Sequence, residues 1–141
     1  MILEKGEREK CVQDRQDRNV LIVDNEPSIR QMLKDVLEIE GYRVYQAGDG
    51  AEGLAILKSM ASSCVVLLDL MMSGKSGWWF LENQKLDPAI ADTPVIICSA
   101  YMDSARYLKA SGFLPKPFHI HALLRNIESC LVPMNRHFSV Q

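Results

Sequence analysis

The chain has 141 residues, of which 48% are hydrophobic and 24% charged, and its formal net charge is −2. That length suits one domain with a sizeable core and is too short for two ordinary ones. The slightly acidic balance argues against direct nucleic-acid binding, no apolar segment approaches a membrane span, and the N-terminus turns polar too soon for a signal peptide.

Cys11, Cys64, Cys98 and Cys130 are widely spaced with no CxxC pair, so neither a disulfide framework nor a zinc site is expected, and the natural compartment is a reducing cytoplasm. Residues 1–18 mix acids and bases without an apolar face and read as a solvated arm. Val20-Leu21-Ile22-Val23 is apolar without alternation, as in a strand buried on both faces, and it runs into Asp24-Asn25-Glu26. Pro27 suits the first turn of a helix, in which Ile29, Met32, Leu33, Val36 and Leu37 recur at helical spacing until Gly41 stops it. Tyr42 to Ala47 alternates and reads as a second strand. Asp49-Gly50-Ala51-Glu52 has the form of a capping box, opening a helix with Leu54, Leu57 and Ala61 along one face.

Cys64 to Leu68 is a third buried strand. A carboxylate is costly inside it, which places Asp69 at its carboxyl end. Met72 to Gly77 reads as a loop with Gly74 and Gly77 as turn residues. Trp78 to Leu86 reads as a helix in which one tryptophan ring joins the core. Pro88 and Pro94 bracket the return to a fourth strand, Val95 to Cys98, which ends in Ser99. Met102 to Ala110 has room for only a short helix. Phe113-Leu114 is a brief fifth strand leading to Lys116, and Ala122, Leu123, Ile127 and Leu131 mark a last amphipathic helix, followed by a tail over 132–141. His119 and His121, two apart at the start of that helix, point to different faces and read as solvated rather than as a metal pair. Alternating strands and helices imply right-handed βαβ units. The expected fold is α/β, a doubly wound five-stranded parallel sheet with helices on both faces, over residues 19–131.

In such sheets ligands bind outside the carboxyl ends of the strands. The first strand delivers Asp24, Asn25 and Glu26 there, the third Asp69, the fourth Ser99 and the fifth Lys116. Clustered carboxylates repel and want a cation. Oxygen ligands with no His or Cys nearby favour Mg²⁺ over zinc. A lysine and a hydroxyl beside them suit a phosphoryl group in transit, and an aspartate in that company can itself be the nucleophile, forming an acyl phosphate.

Four segments, Val20 to Pro27, Leu67 to Met72, Cys98 to Ala100, and Phe113 to Phe118, resemble the receiver domain of two-component response regulators, each at an expected strand end and in the right order. The resemblance covers about Asn19 to Leu131. It implies a flavodoxin-like strand order 2-1-3-4-5 and a phosphoryl group accepted on Asp69 from a histidine kinase or a phosphotransfer protein. It further implies Mg²⁺ held by Asp24, Asn25, Asp69 and the backbone carbonyl of Met71. Lys116 would pair with the phosphoryl group and Ser99 would hydrogen-bond it, with Ser99 and Phe113 as the switch residues. Ala100 is small, leaving a donor room to approach. The implied protein is a cytoplasmic signalling switch read by an unknown downstream protein. It would catalyse its own phosphorylation and dephosphorylation and would not be a metabolic enzyme. No output domain is expected after Leu131.

The chain departs from the family pattern at several points. Asn25 stands where a second acid is usual, removing one formal charge, and Ser73 stands where proline is usual. The segment between Ser99 and Lys116 is shorter than usual, at the expense of the helix over 102–110. The charge missing at Asn25 keeps a second reading open, a pseudo-receiver that binds protein without using phosphate. An aspartate-nucleophile phosphatase would usually carry a second acid where Met71 stands. A flavin-binding relative would need a glycine- and hydroxyl-rich loop where Asp24-Asn25-Glu26 would repel phosphate.

Overall fold

The computed structural model describes residues 18–60, 63–70, 76–100 and 110–131. Strands β1 (Asn19–Val23), β2 (Arg43–Ala47), β3 (Cys64–Leu68), β4 (Val95–Ser99) and β5 (Gly112–Pro115) form one parallel sheet in the order β2-β1-β3-β4-β5. The described helices are α1 (Pro27–Ile39), α2 (Gly50–Ser59), α3 (Gly77–Leu86) and α4 (Ile120–Leu131). The doubly wound α/β architecture expected from the alternating pattern is the one observed. The arm over 1–17, the short helix over 102–110, the tail over 132–141, and Ala61, Met71, Ser73 and Gly74 lie outside the described residues.

Every residue of β1, β3 and β4 is buried, because helices cover both faces of the sheet. Successive side chains alternate between two cores. Leu21, Val23, Val66, Leu68 and Ile97 meet Leu54 and Leu57 of α2 and Phe80 and Leu81 of α3 on one face. Val20, Ile22, Val65, Leu67 and Ile96 meet Leu33 and Leu37 of α1 and Leu123 and Ile127 of α4 on the other.

The ends of α1 and α2 follow local chemistry. Gly41 has φ 93°, the left-handed region that glycine enters without penalty. There the Tyr42 amide donates to the Leu37 carbonyl at 3.0 Å and the Gly41 amide to Glu38 at 3.0 Å, closing α1 in a Schellman arrangement. Met32, expected on the buried stripe of α1, is instead 46% exposed, because the stripe runs through Leu33 and Leu37 and Met32 lies about 100° away from Leu33 around the helix. In α2 the Asp49 carboxylate accepts the Glu52 amide at 2.9 Å, as a capping box requires. Glu52 Oε1 reaches past the cap, however, to the Gly48 amide at 2.7 Å. Gln84, fully buried on α3, donates through Nε2 to the carbonyls of Ile90 (2.9 Å) and Thr93 (3.0 Å), which pins the loop that feeds β4.

Cys64 and Cys98 are buried within β3 and β4, as expected of small apolar residues, and burial pushes both thiols up to about 12. Their folded values exceed the ordinary 9.0 of an exposed thiol, so burial of the neutral form contributes fully below that value and is lost as pH rises from there toward about 12. Urea unfolding is therefore expected to show stability declining over that alkaline window, with a shallower decline in Cys64→Ala/Cys98→Ala. At neutral pH a thiol reagent should label the two positions only after urea is added.

Candidate functional site

The site follows from register. Val23 of β1 pairs with Leu68 of β3, so the next residues, Asp24 and Asp69, emerge side by side at the carboxyl edge of the sheet. The ladder continues one bond further, the Asp69 amide donating to the Val23 carbonyl at 3.0 Å. Both carboxylates are buried, Asp24 at 4% and Asp69 at 8% exposure. On the other side Ser99 pairs with Pro115, and the Lys116 amide donates to the Ser99 carbonyl at 3.0 Å, which places Lys116 beside the end of β4. Ser99 is fully buried.

From there the Lys116 ammonium reaches both acids. Its Nζ donates to Asp24 Oδ2 at 2.9 Å and forms an ion pair with Asp69 Oδ2 at 3.5 Å. Burial on its own lowers the lysine pKa, but the hydrogen bond to Asp24 and the fields of Asp24 and Asp69 outweigh it, and the net direction is upward from 10.5. The charged form is thus favoured by folding at all pH values below the ordinary lysine range, and that contribution is lost only at higher, strongly alkaline pH.

Asp24 is itself held in place. Its Oδ1 accepts the Glu26 amide at 2.9 Å, and its backbone carbonyl accepts Nη1 of Arg30 at 2.6 Å. Arg30 Nε also donates to Gln46 Oε1 of β2 at 3.3 Å, so one guanidinium ties the end of β1 to β2. Neither Arg30 nor Gln46 stood out in the sequence. The contact depends on the β1–β2 register, and nothing in local spacing reports it.

The expected residues Asp24, Asp69, Ser99 and Lys116 are brought to one edge of the sheet, with exposed Asn25 in the loop directly after Asp24. Phe113 on β5 is half-buried against the core under α2 and α3, and Met71 lies outside the described residues. His119 and His121 are exposed at the start of α4, and among the described residues no three His, Cys, Asp or Glu side chains converge on a metal position. A two-carboxylate site does not need three: Mg²⁺ commonly takes one or two carboxylates and completes its shell with phosphate oxygens and water. The donor set fits that ion, since two buried carboxylates already converge on one cationic nitrogen and an amide oxygen stands next in sequence.

The chain belongs to the response regulator receiver domain family, whose model matches residues 20–128. It is 35% identical over 121 residues to the probable transcriptional regulator ycf27 of Porphyridium aerugineum, covering 82% of this chain and 49% of that protein. It is 34% identical over 127 residues to the transcriptional regulatory protein CpxR of Escherichia coli, covering 86% of this chain and 52% of that protein. The chain thus spans about half the length of the relatives it matches. Among solved structures it resembles the response regulator TrrA of Thermotoga maritima, solved in complex with Mg²⁺–BeF. That likeness has a TM-score of 0.71 and 29% identity, over 80% of this chain and 98% of that one. The chemotaxis protein CheY4 of Vibrio cholerae gives a TM-score of 0.71 and 29% identity, over 79% of this chain and 97% of that one. Receiver domains interact with histidine kinases or phosphotransfer proteins and are generally Mg²⁺-dependent. Among the described residues no helix is long and apolar enough to cross a membrane.

Lys116→Met leaves two adjacent buried carboxylates without their cation. Unfolding by urea is expected to show a loss of about 1–3 kcal/mol, less than for a fully buried pair because Lys116 is partly exposed. Added Mg²⁺ is expected to restore part of that loss.

Proposed function

We propose that this chain is a phosphorylation-controlled switch in which Asp69 accepts a phosphoryl group from a histidine kinase or a histidine phosphotransfer protein. The observation that supports this reading is the single ammonium of Lys116 held between Asp24 and Asp69, at 2.9 and 3.5 Å, at the carboxyl edge of the sheet. A nucleophile, a fixed cation and a second carboxylate lie together where a phosphoryl group would approach from solvent.

A carboxylate oxygen of Asp69 forms the new P–O bond as the P–N bond of the donor phosphohistidine breaks. The bonding pair returns to the imidazole, which leaves neutral when its other nitrogen carries a proton. Lys116 turns from the carboxylates toward the incoming phosphoryl oxygens and offsets their charge. The Ser99 hydroxyl donates to one of those oxygens, and the packing of Phe113 follows the movement of the β4 end. Asp24, Asn25, Asp69 and the Met71 carbonyl would hold Mg²⁺, which would supply further charge neutralisation. Reversal is hydrolysis: a water oxygen bonds to phosphorus, the acyl phosphate P–O bond breaks, and Asp69 is returned as carboxylate with release of inorganic phosphate. The phosphorylated form shifts a two-state equilibrium that a downstream protein reads.

Incubation with Mg²⁺ and a small acyl phosphate, followed by intact mass, tests the assignment. The parent is expected to gain one phosphoryl group and Asp69→Asn none. No adduct on either protein would instead favour the pseudo-receiver reading that Asn25 motivates.

Asn25 lowers the charge of the metal site by one. Asn25→Asp is expected to tighten Mg²⁺ binding by about tenfold, of the order Coulomb attraction allows near a surface. Titration of tryptophan fluorescence with Mg²⁺ measures it, and equal affinities would remove the charge argument.

A further inference from the structure

Gly77 is the first residue of α3, and the expectation that it is a loop turn residue is corrected by its place in the fold. Its φ lies outside the left-handed region, since among the described residues only Gly41 has a positive φ. Backbone freedom is therefore not what position 77 requires. Space is. A Cβ built on Gly77 falls inside van der Waals contact of the Asp69 carbonyl oxygen, 2.7 Å from Leu70 Cα and 3.0 Å from the Asp69 carbonyl carbon. These are backbone atoms, which cannot rotate aside.

The start of α3 is thus seated directly on the main chain of Asp69. It is rigid there for independent reasons. Ser76 caps it, its Oγ accepting the Trp79 amide at 3.2 Å, and Phe80 and Leu81 anchor the next turn in the core. The Asp69 main chain is thus flanked on two sides: its amide donates to the Val23 carbonyl on the β1 side, and its carbonyl lies against Gly77 on the other.

We propose that Gly77 is a positioning residue for the phosphoacceptor: its missing side chain lets α3 fix the Asp69 main chain, and so sets the Asp69 carboxylate against Lys116. The inference rests on the reading of Asp69 as phosphoacceptor. It differs from a simple packing role because a misplacement of about 1 Å at a reacting group can cost about a hundredfold in rate. Loss of stability elsewhere does not slow the chemistry of the folded protein in this way.

The test compares the parent, Gly77→Ala and Leu57→Ala, all as the full chain. Leu57 lies in the core near the opposite end of the sheet, lining a cavity with Met60, Ser63 and Pro94, and its truncation is destabilising without touching the site. Phosphorylation by a small acyl phosphate with Mg²⁺ is followed by intact mass, and folding by circular dichroism. Expected is a rate within about twofold of the parent for Leu57→Ala and at least about tenfold slower for folded Gly77→Ala. A Gly77→Ala rate matching that of Leu57→Ala overturns the proposal. If the parent itself takes no phosphoryl group, the functional reading fails, and the positioning role is decided by crystal structures of parent and Gly77→Ala. A lengthened Lys116–Asp69 contact supports it, and one kept at 3.5 Å overturns it. If Gly77→Ala does not fold, Ser76→Ala, which uncaps the same helix start without adding an atom, goes through the same measurements, and an unchanged rate and geometry overturn the proposal.

Discussion

Two buried carboxylates at neighbouring strand ends are an electrostatic problem, and the ammonium of Lys116 is the answer on which the site's geometry depends. The Val23–Leu68 pairing makes the neighbourhood of Asp24 and Asp69 unavoidable. A like-charge pair in that position is unfavourable without a cation. The cation comes from the far side of the sheet, because Lys116 follows β5 while Asp24 follows β1. Its flexible stem spans the end of β4, and its backbone amide is tied there to the Ser99 carbonyl. The ends of β1, β3, β4 and β5 are thereby linked through one side chain and its own main chain. That linkage gives a change at the acids a route to β4 and β5.

The same arrangement explains why the site is built from strand ends and not from loops alone. Asp69 and Asp24 each begin where a fully buried strand stops, so their backbone positions inherit the precision of the sheet ladder. Arg30 adds a cross-brace from α1 to β1 and β2, and Gly77 brings α3 onto the other side of Asp69. At the two acids the Arg30 and Gly77 contacts fall on main-chain carbonyls and leave the carboxylates available for chemistry.

Much of this was legible in the sequence. Unalternating apolar runs ending in acid gave β1 and β3, and the helical stripes gave α1 and α4, because burial on both faces of a parallel sheet leaves a one-dimensional signature. The candidate residues Asp24, Asp69, Ser99 and Lys116 followed from the rule that strand carboxyl ends face the ligand, while Met71 and Phe113 entered only through the family resemblance. What was not legible depends on three-dimensional proximity. Arg30 is one polar residue among several on α1 until β2 is paired with β1. Gly77 resembles any glycine after a loop until the closeness of α3 to Asp69 is known. The spacing of Met32 fits the helical period, yet its place about 100° around α1 from Leu33 turns it to solvent.

The charge balance of the site bears on how Asn25 would act in the proposed switch. Two carboxylates against one ammonium leave a single formal negative charge, where an acid at position 25 would leave two. Capture of a divalent cation is weaker with the smaller negative charge. Once the cation is held, however, the Asn25 site is net positive, whereas a site with the extra acid would be neutral. An incoming phosphoryl dianion is therefore attracted more strongly to the loaded Asn25 site. The two effects oppose each other. In the proposed switch Asn25 would therefore not abolish phosphorylation: it would move the demanding step from the approach of the phosphoryl group to the capture of the metal, and make charging of Asp69 depend on Mg²⁺ concentration.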